Sequence, residues 1–261
     1  MTNLDRLTYR IADVKVHALQ PEKARDIVLS WFDQPRRFHY ISSTNMNHFV
    51  NIDENKEFDR IVNHADLSLP DGMPLIWYGR LLGYQLPKRC GIEELMMEIF
   101  DLSNQGYSFT HYFFGNTPKV LKYLKKKLLK QFPHLKIAGM CSPPFRELTE
   151  EENHEYVQQI NRTDPDFIWV SLGCPKQEIW LYKNRKKLNA VVGGGAGAVF
   201  NFLSGQTPKA PDFLRYWGLE WFFRLINNPK LAPRYLYKYP KFFLKRLSRK
   251  ITLLTRSGYL R

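Results

Sequence analysis

The 261-residue sequence predicts an α/β fold: a mostly parallel sheet flanked by helices, with a basic, aromatic-rich helical appendage at its C-terminal end. Three observations carry this. Between about residues 12 and 208, short apolar segments alternate with stretches of three-to-four spacing, the pattern of βαβ units with right-handed crossovers. Turns bearing glycine or proline close several of the apolar segments, where a strand hands over to a helix. Charge then changes abruptly. The last 53 residues hold 13 Lys/Arg and two acids, whereas the preceding 208 hold 26 and 23, so most of the net +14 sits at the C-terminal end.

The elements follow in order. "DVKVHAL" (13–19) alternates as a strand does, and "RFHYISS" (37–43) is rich in aromatic and β-branched residues. "DLSL" (66–69) is a short strand stopped by Pro70. "HYFFG" (111–115), "LKIAGMC" (135–141), "DFIWVSLG" (166–173) and "NAVVGGG" (189–195) are brief apolar runs, as strands covered on both faces require. Helical spacing occupies 46–52, 73–82, 91–104, 117–131, 149–162 and 175–187, and Thr149 with Glu152 makes a capping box. There is no internal repeat or low-complexity linker. The chain divides into an α/β body, 1–205, and the appendage, 206–261.

Composition excludes several classes. Hydrophobic residues at 44% and charged residues at 25% are ordinary for a folded soluble protein. The N-terminus lacks an apolar core with a small-residue cleavage site, so no signal peptide is expected. The longest uncharged apolar run, 190–200, falls short of the roughly 20 residues of a spanning helix. Cys90, Cys141 and Cys174 form no Cys-x-x-Cys pair, and the seven histidines form no His-x-x-x-His or His/Cys cluster. Neither a disulfide framework nor a metal centre is expected, and a cytoplasmic setting fits best.

Ligands of open α/β sheets sit beyond the carboxyl ends of strands, at the starts of the following helices. Four such junctions carry polar groups: "SSTNMNH" (42–48), "LPDGM" (69–73), "FFGNTPK" (113–119) and "LGCPKQE" (172–178). Asp71 in the second serves equally well as a helix N-cap or as a general base for a hydroxyl nucleophile. The last two junctions read equally as plain turns or as anion-binding loops, with Gly115, Asn116 and Gln177 as candidate contacts. Arg89 opens a further helix, where a guanidinium either grips a phosphate or stays solvated. "GGGAGA" (193–198) matches Gly-x-Gly-x-x-Ala but follows the last strand, so close packing is preferred to a dinucleotide site. "DPD" (164–166) precedes a strand, which puts it on the wrong sheet edge for a metal-holding Asp-x-Asp.

Taken together, "STNMNHFV" (43–50), "LPDGMPLIW" (69–77), "KRCGIEEL" (88–95), "FFGNTP" (113–118), "GCPKQE" (173–178) and the segment 193–225 resemble the WecG/TagA/CpsF family of bacterial glycosyltransferases, over about residues 12–235. The resemblance implies a Rossmann-like fold and an inverting, metal-independent transferase without a cofactor. Such an enzyme moves a hexose-type sugar, often N-acetylmannosamine or its uronic acid, from UDP to a polyprenyl-diphosphate-linked saccharide in cell-surface polysaccharide synthesis. It implies Asp71 as catalytic base, Ser43 and Asn45 lining the acceptor side, and Gln177 on sugar or diphosphate. Arg89 would neutralise the leaving diphosphate. Two departures from the family pattern matter: Ser43 stands where relatives often have Thr, which keeps the hydroxyl, and Asn201 where many have Asp, a neutral amide that would alter base or donor preference if the position contacts the nucleotide base. Lys209 also replaces a usual Arg, keeping charge but losing the bidentate fork.

From 213 to 243 aromatic and basic residues interleave, and helical spacing then puts Phe243, Leu247, Ile251 and Leu254 opposite Lys245, Arg249 and Arg256. This suits a helix lying on an anionic membrane surface, against the plainer reading of aromatics packed on the body. By resemblance the appendage also folds over the site, with Arg215 and Arg224 reaching the diphosphate. The expected partners are a UDP-sugar, the lipid-linked acceptor and the inner face of the plasma membrane. No nucleic acid is expected, and a homo-oligomer is compatible. The rival readings are a nucleotide-dependent oxidoreductase, and a non-enzymatic basic protein that binds membrane or nucleic acid.

Overall fold

The computed structural model describes residues 4–242 and 244. The chain opens with an antiparallel hairpin, β1 (Thr8–Ile11) and β2 (Val14–His17). Its two-residue turn holds Ala12 and Asp13 both at positive φ, the hand that matches the twist of paired strands. α1 (Pro21–Ser30) follows, with proline in its first turn. The main sheet then comprises β3 (His39–Thr44), β4 (Leu67–Pro70), β5 (Thr110–Gly115), β6 (Lys136–Cys141), β7 (Phe167–Ser171) and β8 (Val192–Gly195). All its pairings are parallel, in the order β4-β3-β8-β7-β5-β6.

Crossovers run through α2 (Met46–Glu54), α3 (Lys56–Asn63), α4 (Met73–Leu81), α5 (Ile92–Asn104), α6 (Pro118–Gln131), α7 (Glu150–Arg162) and α8 (Lys176–Asn184). After β8 come α9 (Val199–Leu203), α10 (Asp212–Tyr216), α11 (Glu220–Asn227) and a π-helical segment, Pro233–Lys238.

The parallel sheet, its flanking helices and the helical C-terminal region match the fold class read from sequence. One strand is placed differently: 13–19 does not join the parallel sheet but pairs with β1 alone. β1 is not evident in the sequence because it is four residues long and its turn is Ala-Asp, not the Asn-Gly that announces a hairpin. α1 and α3 lie outside the helical stretches expected from the spacing. α3 is eight residues long, and its buried Phe58, Ile61 and Val62 do follow helical spacing, so its signal was present in the sequence.

Side-chain alternation sorts the sheet residues to two cores. Phe113, Phe167 and Trp169 face α5 and α6 with Phe100, while Tyr112, Phe114, Ile168 and Val170 face α7 and α8. Each fully buried side chain of this size contributes about 1.5–3 kcal/mol. β8 is glycine-rich because its neighbours come too close for a Cβ. One at Gly194 would sit 2.7 Å from Ile92 Cδ1, and one at Gly195 2.7 Å from Gln177 Nε2. The Gly-x-Gly-x-x-Ala match is thus accounted for by packing. At the opposite edge of the sheet, Asp166 accepts hydrogen bonds from Thr110 N (2.8 Å) and Oγ1 (3.0 Å), and Asp164 pairs with Arg36.

Candidate active site

Beyond the carboxyl ends of β3, β4, β7 and β8 lies a cavity of about 870 Å³. Ser43, Asn45, Asp71, Arg89, Gln177, Arg215 and Arg224 all line it, although they come from six separate stretches of sequence. Gly115, Asn116 and Asn201 are not on its wall. Asn116 connects to it indirectly: its Nδ2 donates to Ser171 Oγ (3.1 Å), which donates to the carbonyl of cavity-lining Gly197 (2.6 Å). Gly115, at φ +111°, packs against the Ser171 backbone too closely for any Cβ. Asn201 sits half-buried in α9, its carbonyl accepting from the backbone N–H groups of Gln206 and Thr207.

Asp71 is fixed by what surrounds it. Its backbone N–H donates to the Thr44 carbonyl (2.9 Å), extending the β3–β4 ladder by one residue. Its Oδ2 accepts from Ser43 Oγ (3.2 Å) and Asn45 Nδ2 (3.3 Å), and its Oδ1 lies 3.5 Å from Arg89 Nη1. It does not cap α4. The N-cap there is Gly72, at φ +102°, with no side-chain cap bond, so Asp71 serves no cap. Ser43 Oγ also accepts the Ile92 N–H (3.1 Å), and Asn45 caps α2 by accepting from Asn47 N (3.0 Å). Gln177 is almost wholly committed inside the protein. Its Oε1 accepts from Gly173 N (3.1 Å) and Gly197 N (3.0 Å), and its Nε2 donates to Glu178 (2.8 Å).

Above Asp71 stands a lattice of arginines and glutamates. Arg89 donates to Glu94 Oε1 (2.8 Å) and Glu220 Oε2 (2.7 Å). Arg215 donates to the same Glu94 oxygen (2.6 Å), and Arg224 pairs with Glu220. Lys209, the Lys in place of Arg, holds Glu93 at 2.6 Å. Burial would weaken the Arg89 charge, but the Asp71, Glu94 and Glu220 carboxylates outweigh it and keep the guanidinium firmly protonated. Burial likewise opposes ionising Glu94 and Glu220. The arginines prevail, Arg89 foremost, and hold both carboxyls below their usual range. Glu93, Glu94 and Glu220 were missed in the sequence. Their signal was there: two acids directly after "KRCGI", and Glu220 as the last acid of the chain.

The C-terminal segment forms one side of the cavity through Trp217, Leu219, Trp221, Arg234, Tyr235 and Tyr239. Arg224 stacks over Phe202 at 4.9 Å. Outward, Phe213, Tyr216, Trp217, Phe222 and Tyr237 are exposed, and α4 adds Trp77 and the 82%-exposed Leu81. Among the described residues no helix is long and apolar enough to cross a membrane. The expected face of Phe243, Leu247, Ile251 and Leu254, with Lys245, Arg249 and Arg256 opposite, lies outside the described residues.

Tertiary structure also brings together a group that the spacing does not show: His48 from α2, Cys174 from the turn before α8 and Glu178 of α8, with ligand atoms all within 4.8 Å of one another. The residues are far apart in the chain, so spacing carried no sign of it.

Comparison with known proteins gives this geometry a context. The chain is 30% identical over 196 residues (75% of this chain, 73% of the relative) to an N-acetylglucosaminyldiphosphoundecaprenol N-acetyl-β-D-mannosaminyltransferase of Bacillus subtilis. It is 29% identical over 176 residues (67% and 66%) to the protein of that name in Bacillus spizizenii. To the one in Staphylococcus aureus it is 25% identical over 187 residues (69% and 71%). The chain thus spans about two thirds to three quarters of the length of these relatives. Residues 9–256 match the family described as "Glycosyl transferase WecG/TagA/CpsF family". With most of its length inside that match, the chain belongs to the WecG/TagA/CpsF family of glycosyltransferases.

Proposed function

We propose that the protein is an inverting, metal-independent hexosyltransferase. It moves N-acetylmannosamine, or a closely related hexose, from a UDP-sugar to a polyprenyl-diphosphate-linked saccharide. The acceptor and sugar follow from the names of its relatives. The observation that carries the chemistry is Asp71, a half-buried carboxylate held by Ser43 and Asn45 at the cavity wall, beneath three arginines.

In this reading the acceptor hydroxyl gives its proton to Asp71 as its oxygen attacks the anomeric carbon. The bond from that carbon to the β-phosphate oxygen breaks on the opposite face, and UDP leaves with the electron pair. Arg89, Arg215 and Arg224 stabilise the charge that develops on the diphosphate, as preorganised donors do. The carboxylates they hold must then share or yield them. Residues 206–261 act as the appendage that completes the site, and its aromatic and basic residues rest on the inner leaflet beside the acceptor lipid. The 193–195 glycines, spent on packing, leave the oxidoreductase alternative without support.

The test is UDP release across a panel of UDP-sugars, with a polyprenyl-diphosphate N-acetylglucosamine analogue as acceptor. Release should depend on acceptor, should not rise with added Mg²⁺ or Mn²⁺, and should fall by about 10²–10⁴-fold in Asp71→Asn. Equal release by native and mutant protein would remove Asp71 from the chemistry. Release from no donor would remove the reading.

A further inference from the structure

We infer that His48, Cys174 and Glu178 form a zinc-binding site that braces α2 against the start of α8. The donor set is one imidazole, one thiol and one carboxylate, the nitrogen, sulfur and oxygen ligands that zinc accepts together. His48 and Glu178 are each about 1% exposed. Two of their atoms, His48 Nε2 and Glu178 Oε2, are buried without a hydrogen-bond partner. Orphaned buried polar atoms are costly, and a bound ion is one way such atoms are satisfied.

Geometry supports a metal in preference to a simple ion pair. His48 Nε2 and Glu178 Oε1 are 3.3 Å apart yet not aligned for a hydrogen bond. A tetrahedral zinc ion with ordinary bond lengths separates a nitrogen and an oxygen ligand by about 3.3 Å, and either from sulfur by about 3.6 Å. The three donor atoms lie within 4.8 Å of one another, so side-chain adjustments of about 1 Å close the set. Gln177 Nε2 donates to that same Glu178 Oε1 (2.8 Å), and Oε2 is the carboxylate oxygen without a hydrogen-bond partner. His48 and Cys174 border the large cavity, which provides an entry path and room for a fourth ligand such as water. On binding, the Cys174 thiol releases its proton to solvent and coordinates as thiolate.

The support around the ligands fits as well. Asn45 Oδ1 lies 3.3 Å from His48 Nδ1, and Asn51 Nδ2 lies 3.9 Å from the Cys174 sulfur. Nδ1 accepts from the Asn45 backbone N–H (3.3 Å), closing the α2 capping box. Zinc on Nε2 gives up that bond and turns Nδ1–H toward Asn45 Oδ1, since metal-bound histidines donate through their second nitrogen. Asn45 in turn donates to Asp71 (3.3 Å), so the ion acts as a positioning element two residues removed from the reacting groups. It is distinct from any metal on the diphosphate, and the inference does not rest on the proposed sugar or acceptor.

The experiment is titration of metal-free, full-length reduced protein with Co²⁺, then with Zn²⁺. The expected result is one equivalent bound, with visible bands of a four-coordinate ion and a near-ultraviolet thiolate-to-cobalt band, both abolished by Zn²⁺. Cys174→Ser should lose the near-ultraviolet band while its circular dichroism stays native. Glu178→Gln should bind at least about tenfold more weakly. Absence of a cobalt spectrum in the native protein would overturn the site, as would a thiolate band that survives Cys174→Ser, since Cys90 or Cys141 would then be its source. Both results are read from the metal spectra, so they can fail or hold separately from the test of UDP release.

Discussion

Ser43 shows how much one hydroxyl does at this site. It donates to Asp71 and accepts the buried Ile92 N–H, so it joins β3, the end of β4 and the start of α5. Ser43→Ala leaves the Ile92 N–H unpaired, which should cost about 1–3 kcal/mol of stability in chemical denaturation and slow turnover by freeing Asp71. Ser43→Thr keeps the hydroxyl and should recover most of both. The two roles were unequally legible. That a polar group ends this strand on the sheet edge where ligands of such folds sit followed from strand-to-helix position alone. That it also satisfies a backbone donor 49 residues away did not, because only the folded chain brings Ile92 beside it.

At the scale of elements, α5 and α11 are locked by charge. Glu94 at the start of α5 receives Arg89 and Arg215, and Glu220 at the start of α11 receives Arg89 and Arg224. These acids occupy the guanidiniums that a diphosphate would use. Glu220→Gln should therefore tighten UDP binding severalfold by calorimetry, while limited proteolysis cuts the C-terminal segment faster. The lock has a pH sign. Both folded-state carboxyl pKa values are depressed, so the stabilisation is present above the ordinary glutamate range and is lost as pH falls through the folded values. The melting temperatures of native protein and Glu220→Gln should converge in acid. If their gap holds unchanged below pH 4, Glu220 is not part of the lock. The helices themselves were readable from their three-to-four spacing. Their mutual pairing was not, since Arg89 and Glu220 lie 131 positions apart.

Over the whole molecule, a near-neutral body carries a strongly basic C-terminal end whose aromatic side chains reach both solvent and cavity. In the proposed function this arrangement would couple surface binding to the site. The protein should bind vesicles rich in anionic lipid, with affinity falling steeply as salt rises, because exposed charges are screened beyond about 10 Å at 0.1 M salt. Removal of residues after 205 should abolish both vesicle binding and turnover. Binding that is indifferent to lipid charge would refute the electrostatic part and leave the exposed aromatics of α4 and α10 to account for it.

The sequence by itself determined the alternation of strands and helices, the sheet edge that carries polar groups, and the surplus of positive charge at the end. Each is local: periodicity, turn residues and composition act within a few positions of themselves. Tertiary structure alone decided that the first hairpin stands apart from the sheet and that the β8 glycines serve packing. It decided also that Asp71 is held by Ser43 and Asn45 and does not cap a helix, and that His48 meets Cys174 and Glu178. The reason is the strand order, β4-β3-β8-β7-β5-β6, which is not the chain order. Parallel crossovers carry distant segments to adjacent places, and which side chains then touch depends on that order and not on spacing along the chain.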